Sequence, residues 1–230
     1  ILDRHGRVLA TSVPVPSVYV IPQELDDPDE AAPKLAKILG QPLATVQNQL
    51  SAAATFVWLA RQLPPEVGEQ VQKLNIRGVQ VLQETRRFYP KRHLAGQMLG
   101  FVGVDGAGLG GLEHLYNREL TGTPRKVLLQ RDATGRTVQV MSGDPSDQPR
   151  GADLYLTLDE RLQYVAEKEI ATRVQETQAK SGLVLIMHPA SGDILAMAGY
   201  PFFNPNDFQD PKQRVWQRNR ALTDPVEPGS

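Results

Sequence analysis

Ser230 is the residue whose type and setting best suit a nucleophile. It follows Glu227-Pro228-Gly229, a turn-like run that would lead into a helix. A serine aimed from such a turn attacks a carbonyl once a base takes its proton, and no base is adjacent. Gly106-Ala107-Gly108-Leu109-Gly110-Gly111 fits G-x-G-x-x-G, with Asp132 further on. Such glycines bring backbone N–H groups against a pyrophosphate. The surrounding pattern lacks an alternating strand–helix–strand series, so the plainer expectation is a glycine-rich loop before a short helix. Arg86, Arg87, Lys91 and Arg92 enclose Phe88 and Tyr89, a grouping that meets phosphate or forms a solvated strand end. Glu113 has the type for acid–base work, and equally that of a first-turn helix acid. His5, His93, His114 and His188 are far apart and show no metal-ligand spacing. No cofactor and no metal are expected.

Composition narrows the classes. Lys plus Arg number 25 and Asp plus Glu 26, a net charge of -1 that argues against nucleic-acid binding. The chain has no cysteine, which excludes thiolate nucleophiles, disulfides and cysteine-ligated metals. With 40% hydrophobic and 22% charged residues, the 230-residue chain reads as folded, in one large domain or two smaller ones. Both ends look cut, so the chain reads as a piece of something longer.

The elements that must position these residues follow from periodicity. Residues 1–22 read as extended, and Pro14, Pro16 and Pro22 favour an edge strand over a central one. A helix begins after Asp26-Asp27-Pro28 and stops at Gly40. A second helix follows Pro42. Phe56–Leu59 reads as a strand, a helix opens at Pro64-Pro65, and Val79–Leu82 starts another strand. A helix is expected over Leu112–Leu120, and strands over Val127–Gln130, Val138–Met141 and Leu154–Leu158. Residues 142–152 read as a linker. Residues 159–178 form the clearest helix, with Leu162, Val165, Ala166, Ile170 and Val174 at helical spacing. Leu183–Met187 and Ile194–Met197 flank Pro189–Asp193 as a hairpin.

Several segments together resemble the class B penicillin-binding proteins, the monofunctional peptidoglycan transpeptidases. The opening Ile1-Leu2-Asp3-Arg4-His5-Gly6-Arg7-Val8-Leu9-Ala10 is similar to that family's I-x-D-R-x-G-x-x-L-A. Arg87-Phe88-Tyr89-Pro90, then Leu99-Gly100-Phe101-Val102-Gly103, resembles its R-x-Y-P and G-[FY]-x-G pair. Gly108 to Tyr116, with Gly111 and Glu113, resembles its G-x-x-G-[LI]-E-x-x-[YF] segment. Leu156-Thr157-Leu158-Asp159 looks like the entry to its transpeptidase domain, and Ser191–Met197 like its first hairpin. Arg218–Asp224 followed by Glu227–Ser230 resembles the approach to its active-site serine. Glu227-Pro228-Gly229-Ser230 and Phe56–Gln62 look like the septal, cell-division type. The match runs through the chain in order, and it accounts for the glycine cluster better than a dinucleotide loop does.

The resemblance implies an α+β protein in two parts. Residues 1–150 would be an elongated pedestal, or dimerisation domain, of short strands and helices. Residues 151–230 would be the incomplete beginning, a helix plus a β-hairpin, of a serine transpeptidase/β-lactamase-like domain. Asp3, Arg4, Gly6, Arg87, Tyr89, Pro90, Gly100, Gly103, Gly108, Gly111, Glu113 and Asp159 would be structural motif residues. Ser230 would hold the nucleophile position, with its partner Lys and later motifs absent from the chain. The parent would be an enzyme of septal cell-wall synthesis that cross-links peptidoglycan stem peptides through a serine acyl-enzyme and is acylated by β-lactams. This chain alone would be inactive and would supply scaffold and interaction surface. The resemblance further implies an anchoring helix upstream of residue 1, a periplasmic or extracytoplasmic location, divisome partners including a lipid-linked glycan polymerase, and a homodimer as one arrangement. The other readings are a non-enzymatic interaction module and nucleotide binding at Gly106–Gly111. Residues 151–230 are expected to be less stable than 1–150, because a hairpin cut from its sheet exposes strand edges.

Overall fold

The computed structural model describes residues 1–122, 128–131, 137–140 and 151–225. It is an α+β chain in two compact units, one of Ser12–Phe88 and one of Ile1–Thr11 with Tyr89–Ser230. This partition follows compactness rather than a cut near residue 150, because the first eleven residues pack with the later chain.

The Ser12–Phe88 unit is built on a three-stranded sheet, β1 (Thr11–Val20), β2 (Val57–Ala60) and β3 (Val79–Phe88), in the order β2-β1-β3. The prolines pointed to an edge strand, yet β1 is central. Strand β2 engages it antiparallel only at Val18, Tyr19 and Val20, past Pro14 and Pro16, so the missing N–H groups cost that pairing nothing. Helices α1 (Pro28–Leu39), α2 (Leu43–Leu50) and α3 (Pro65–Lys73) complete the unit. Asp27 caps α1 by accepting from the Asp29 and Glu30 amides, and Gly40 ends it in the left-handed region at φ 64°. Val18, Val20, Leu35, Val46, Leu50 and Leu59 lie in one apolar core. Each such side chain contributes about 1.5–3 kcal/mol by leaving water.

In the other unit, the opening residues fold back on themselves. Leu2 bridges Val8 antiparallel and Tyr155 parallel. The bridge to Tyr155, with the Arg4 amide bonded to the Leu158 carbonyl at 2.9 Å, is the described form of the strand expected over Leu154–Leu158. Short helices α4 (Gly96–Leu99), α5 (Gly111–Leu115) and α6 (Asn117–Thr121) follow. The single helix expected over Leu112–Leu120 is thus broken at Tyr116, whose ψ of 24° leaves the helical path. β4 (Leu128–Arg131) and β5 (Thr137–Val140) pair antiparallel. The expected linker lies outside the described residues up to 150.

Helix α7 (Glu160–Thr177) lies against the hairpin of β6 (Gly182–Met187) and β7 (Ile194–Tyr200), which pair antiparallel from Gly182–Tyr200 to Met187–Ile194. The last described helix, α8, is Arg220–Thr223. The helical period was legible, and Ala166, Ile170 and Val174 turn to the core as their spacing implies, but the start of the helix differs. Leu162 and Val165 are exposed, whereas Gln163, Ala166, Glu167 and Val174 are buried. One hairpin face packs Val184, Ile186, Ala196 and Ala198 near α7; alternate residues Leu183, Leu185 and Met187 are exposed.

Candidate functional site

Ser230 lies outside the described residues, as do Pro228 and Gly229, so the site is described by its approach. After β7, Gln97 of α4 donates through Nε2 to the carbonyls of Pro201 (2.9 Å) and Trp216 (3.0 Å). Asn206 clamps the Tyr89 backbone, accepting from its N–H (3.1 Å) and donating to its carbonyl (2.9 Å). Asn219 caps α8 by accepting from the Ala221 amide, and its Nδ2 reaches Met197 Sδ at 3.3 Å. Arg220 donates to Ser181 Oγ (3.2 Å), and Asp224 pairs with both Arg218 and Arg220. The Arg-Asn-Arg run that precedes Ser230 is therefore fastened to the hairpin at two points: just before β6 and midway along β7.

A second cluster gathers residues distant in sequence. Asp3 is fully buried, and its Oδ1 accepts from the amides of His5 and Arg7 (both 2.8 Å). Its Oδ2 accepts from the Glu160 amide at 3.2 Å. Asp159 caps α7, accepting from the Arg161 amide at 2.8 Å and contacting His5 Nε2 at 3.0 Å. Arg7 lies 3.7 Å from Asp3 and 3.9 Å from Asp159. Burial pushes the Asp3 carboxyl up, but the amides of Arg7, Glu160 and His5 and the Arg7 charge outweigh it and hold it below its ordinary value. At Asp159 burial is likewise outweighed, by the Arg161 and Leu162 amides and by His5, with the same downward result. The opening turn thus ties itself to the start of α7. Gly6 turns that loop at φ 77°, and Arg4 joins through its amide to the Leu158 carbonyl at 2.9 Å.

The third cluster explains the glycines. Tyr89 is buried and its hydroxyl donates to Glu113 Oε1 at 3.2 Å, so Glu113 serves here as a buried acceptor. A Cβ on Gly100 would lie 1.8 Å from the Gly110 carbonyl oxygen, and one on Gly108 would lie 2.0 Å from that of Glu113. Gly111 and Gly103 sit in the same close-packed turn, Gly111 against Gly100 and Gly103 against Leu109. The space that a pyrophosphate loop leaves open is filled by this chain's own backbone, and helix α5 after it has five residues. That corrects the nucleotide reading. Pro90 is exposed in the turn after Tyr89. Arg87 belongs to the other unit, on β3, where it donates to Ser12 Oγ at 3.2 Å. No group of three metal-ligating side chains occurs among the described residues.

Sequence reasoning missed Gln163 and Glu167. Gln163 spans the Met197 backbone, donating to its carbonyl (3.0 Å) and accepting from its amide (2.8 Å). Glu167 Oε1 accepts from the Ala95 amide at 2.7 Å and from Gln163 Nε2 at 2.8 Å. Their spacing, four apart among apolar neighbours, was the available signal.

Comparison with known proteins gives these positions a context. Residues 1–156 match the family described as "Penicillin-binding Protein dimerisation domain", and residues 182–230 the "Penicillin binding protein transpeptidase domain". The chain is 34% identical over its whole length to "Peptidoglycan D,D-transpeptidase FtsI" of Escherichia coli, spanning 40% of that protein. It is 30% identical to "Stage V sporulation protein D" of Bacillus subtilis, spanning all of this chain and 36% of that one. Among solved structures, a peptidoglycan synthetase from Bifidobacterium adolescentis superposes with a TM-score of 0.62 at 26% identity, over all of this chain and 47% of that one. The chain therefore spans less than half the length of these relatives.

Proposed function

The chain belongs to the penicillin-binding proteins, and from that premise we propose that its 230 residues work within a septal peptidoglycan D,D-transpeptidase. Residues 1–150 act as the pedestal and 151–230 begin the catalytic domain. Ser230 is the nucleophile. Its Oγ attacks the penultimate D-Ala carbonyl of one stem peptide, D-Ala leaves, and an amine of a second stem peptide resolves the acyl-enzyme. In the family's S-x-x-K pattern the base lies three residues on, on the same helical face. Backbone N–H groups stabilise the oxyanion.

The observation that carries this reading is the fastening of Arg218–Asp224 to Ser181 and Met197. It holds the approach to residue 230 at a fixed place beside the hairpin, within the segment that matches the transpeptidase family. The wider assignments follow from the family resemblance: a periplasm-facing protein anchored upstream of residue 1, divisome partners including a glycan polymerase, and a dimer through the pedestal. No described helix is long and apolar enough to cross a membrane. The septal role is supported by the name of the Escherichia coli relative.

Intact mass of the full-length protein, before and after benzylpenicillin, tests the reading. One adduct that disappears in Ser230→Ala supports it. An adduct that survives Ser230→Ala, or none in the wild type, sinks it. Filamentation of cells carrying Ser230→Ala supports the septal role, whereas rounding points to an elongation enzyme.

A further inference from the structure

The buried carboxyl of Glu167 has one oxygen used twice and one oxygen unused. Oε1 holds the Ala95 and Gln163 donors, while Oε2 is buried without a hydrogen-bond partner. His93 Nε2 lies 3.7 Å from Oε2. His93 is stacked on Phe202 at 4.6 Å between ring centres, and its side chain is 47% exposed. An ionised carboxylate would leave Oε2 desolvated and unmatched. A protonated one would carry an O–H with the imidazole nitrogen 3.7 Å away, a gap that must close by a few tenths of an ångström for a hydrogen bond.

We propose that Glu167 Oε2 and His93 Nε2 share one proton, and that this proton latches the turn His93–Ala95 onto α7. When the pair holds the proton, Oε2–H donates to the neutral imidazole. When the pH rises, the proton passes to solvent along the exposed edge of His93, and the latch loosens. The latch sits where slack would be transmitted. Ala95 has a left-handed backbone at φ 55°, and the next turn carries Gln97, which holds Pro201 and Trp216. Nothing in this depends on the transpeptidase reading.

The surroundings fit. Burial pushes the Glu167 carboxyl up to about 7, against the Gln163 and Ala95 donors. Burial, with Arg92, pushes His93 down. The two shifts raise the carboxyl and lower the imidazole, the order in which the proton rests on the carboxyl and the imidazole is the acceptor. Of the other charged groups on the packed elements, Lys91 pairs with Glu160 at 3.0 Å, and Arg92 bears on His93. Lys168, the next residue on α7, is exposed. α4 and β6 bring no titratable side chain, and β7 brings only Tyr200.

The sign is set by a folded pKa above the unfolded one. Glu167 contributes stability that is fully present below about 4.5 and is lost as pH rises through about 7. Hydrogen exchange of the segment 89–100 in the full-length protein, corrected for intrinsic rates, reads this out. Glu167→Gln keeps an oxygen for both donors and removes the titration. The ratio of wild-type to Glu167→Gln protection is expected to fall roughly fifty-fold from pH 5 to pH 8. His93→Phe keeps the stack on Phe202 and removes the acceptor. In that background burial still raises the carboxyl, and a fall smaller than the wild-type one marks a shared proton rather than burial alone. A ratio flat across this range, or a fall unchanged by His93→Phe, overturns the proposal. Should Glu167→Gln fail to fold, protection of the His93→Phe protein below pH 6 decides. A loss confined to 89–100 supports the latch, and none refutes it.

Discussion

The Ser12–Phe88 unit closes around ten buried apolar side chains with Ser17 as its buried polar residue, whereas the other unit buries Asp3, Glu113, Gln163 and Glu167 among smaller apolar clusters. Apolar burial is non-directional and indifferent to protons. Carboxylates bonded to amides are directional and linked to pH. The first arrangement makes a solid body. The second fixes particular backbone atoms, and it lies in the unit that leads to residue 230. The difference therefore separates stability from positioning within one chain.

The sharpest test of that contrast uses two glycines. Gly100→Ala puts a methyl group 1.8 Å from a backbone oxygen at φ 78°, and is expected to cost about 4 kcal/mol or more. Gly40→Ala, at φ 64° with nothing within 4 Å, is expected to cost only about 1 kcal/mol. Denaturant unfolding of both variants measures the gap, and similar losses would mean that the glycine turn can relax. Next in size is Leu35→Ala, in the closed core, expected to cost about 3 kcal/mol at any pH between 5 and 8. Leu185→Ala, on the open hairpin face and 50% exposed, should cost under about 1 kcal/mol in the 230-residue chain. A larger loss at Leu185 would mean that this face is covered in solution.

The same contrast explains what the sequence revealed. The Ser12–Phe88 elements were legible because their cues are local: Asp27 and Gly40 at the ends of α1, and Pro64-Pro65 before α3. The centrality of β1 was not, since strand order is a long-range outcome. The hairpin 182–200 and the span of α7 were legible from period and turn residues. The buried face of α7 was legible at Ala166, Ile170 and Val174 but not at Gln163 and Glu167, which are buried to satisfy Met197 and Ala95, partners with no local signature. Family motifs marked Asp3, Tyr89, Glu113 and Asp159, but not that Asp3 and Asp159 meet at the head of one helix.

Acid should separate the two units. Asp3 and Asp159 sit below their ordinary value of 3.8, so their contribution is present above that pH and is lost as pH falls through the lower folded values. Asp3→Asn is expected to cost about 2 kcal/mol at pH 7 and to flatten the acid side of the stability curve. Hydrogen exchange between pH 5 and pH 3 should show residues 1–11 and 159–165 losing protection before the core around Leu35. Simultaneous loss would mean that the units unfold as one.

The smallest effect is expected at His5. Its ring meets Asp159 Oδ2 at 3.0 Å, but the imidazole is 51% exposed, and such pairs contribute about 0.5 kcal/mol or less. The His5 amide also donates to Asp3, and that bond survives any side-chain change. His5→Ala should therefore leave α7 capped, with Asp159 still accepting from Arg161 and Leu162. Thermal unfolding of the variant beside Asp3→Asn ranks the two directly. If His5→Ala matched Asp3→Asn, the turn would be held by its exposed side-chain contact, and buried amide bonds could no longer be what distinguishes this unit from its apolar neighbour.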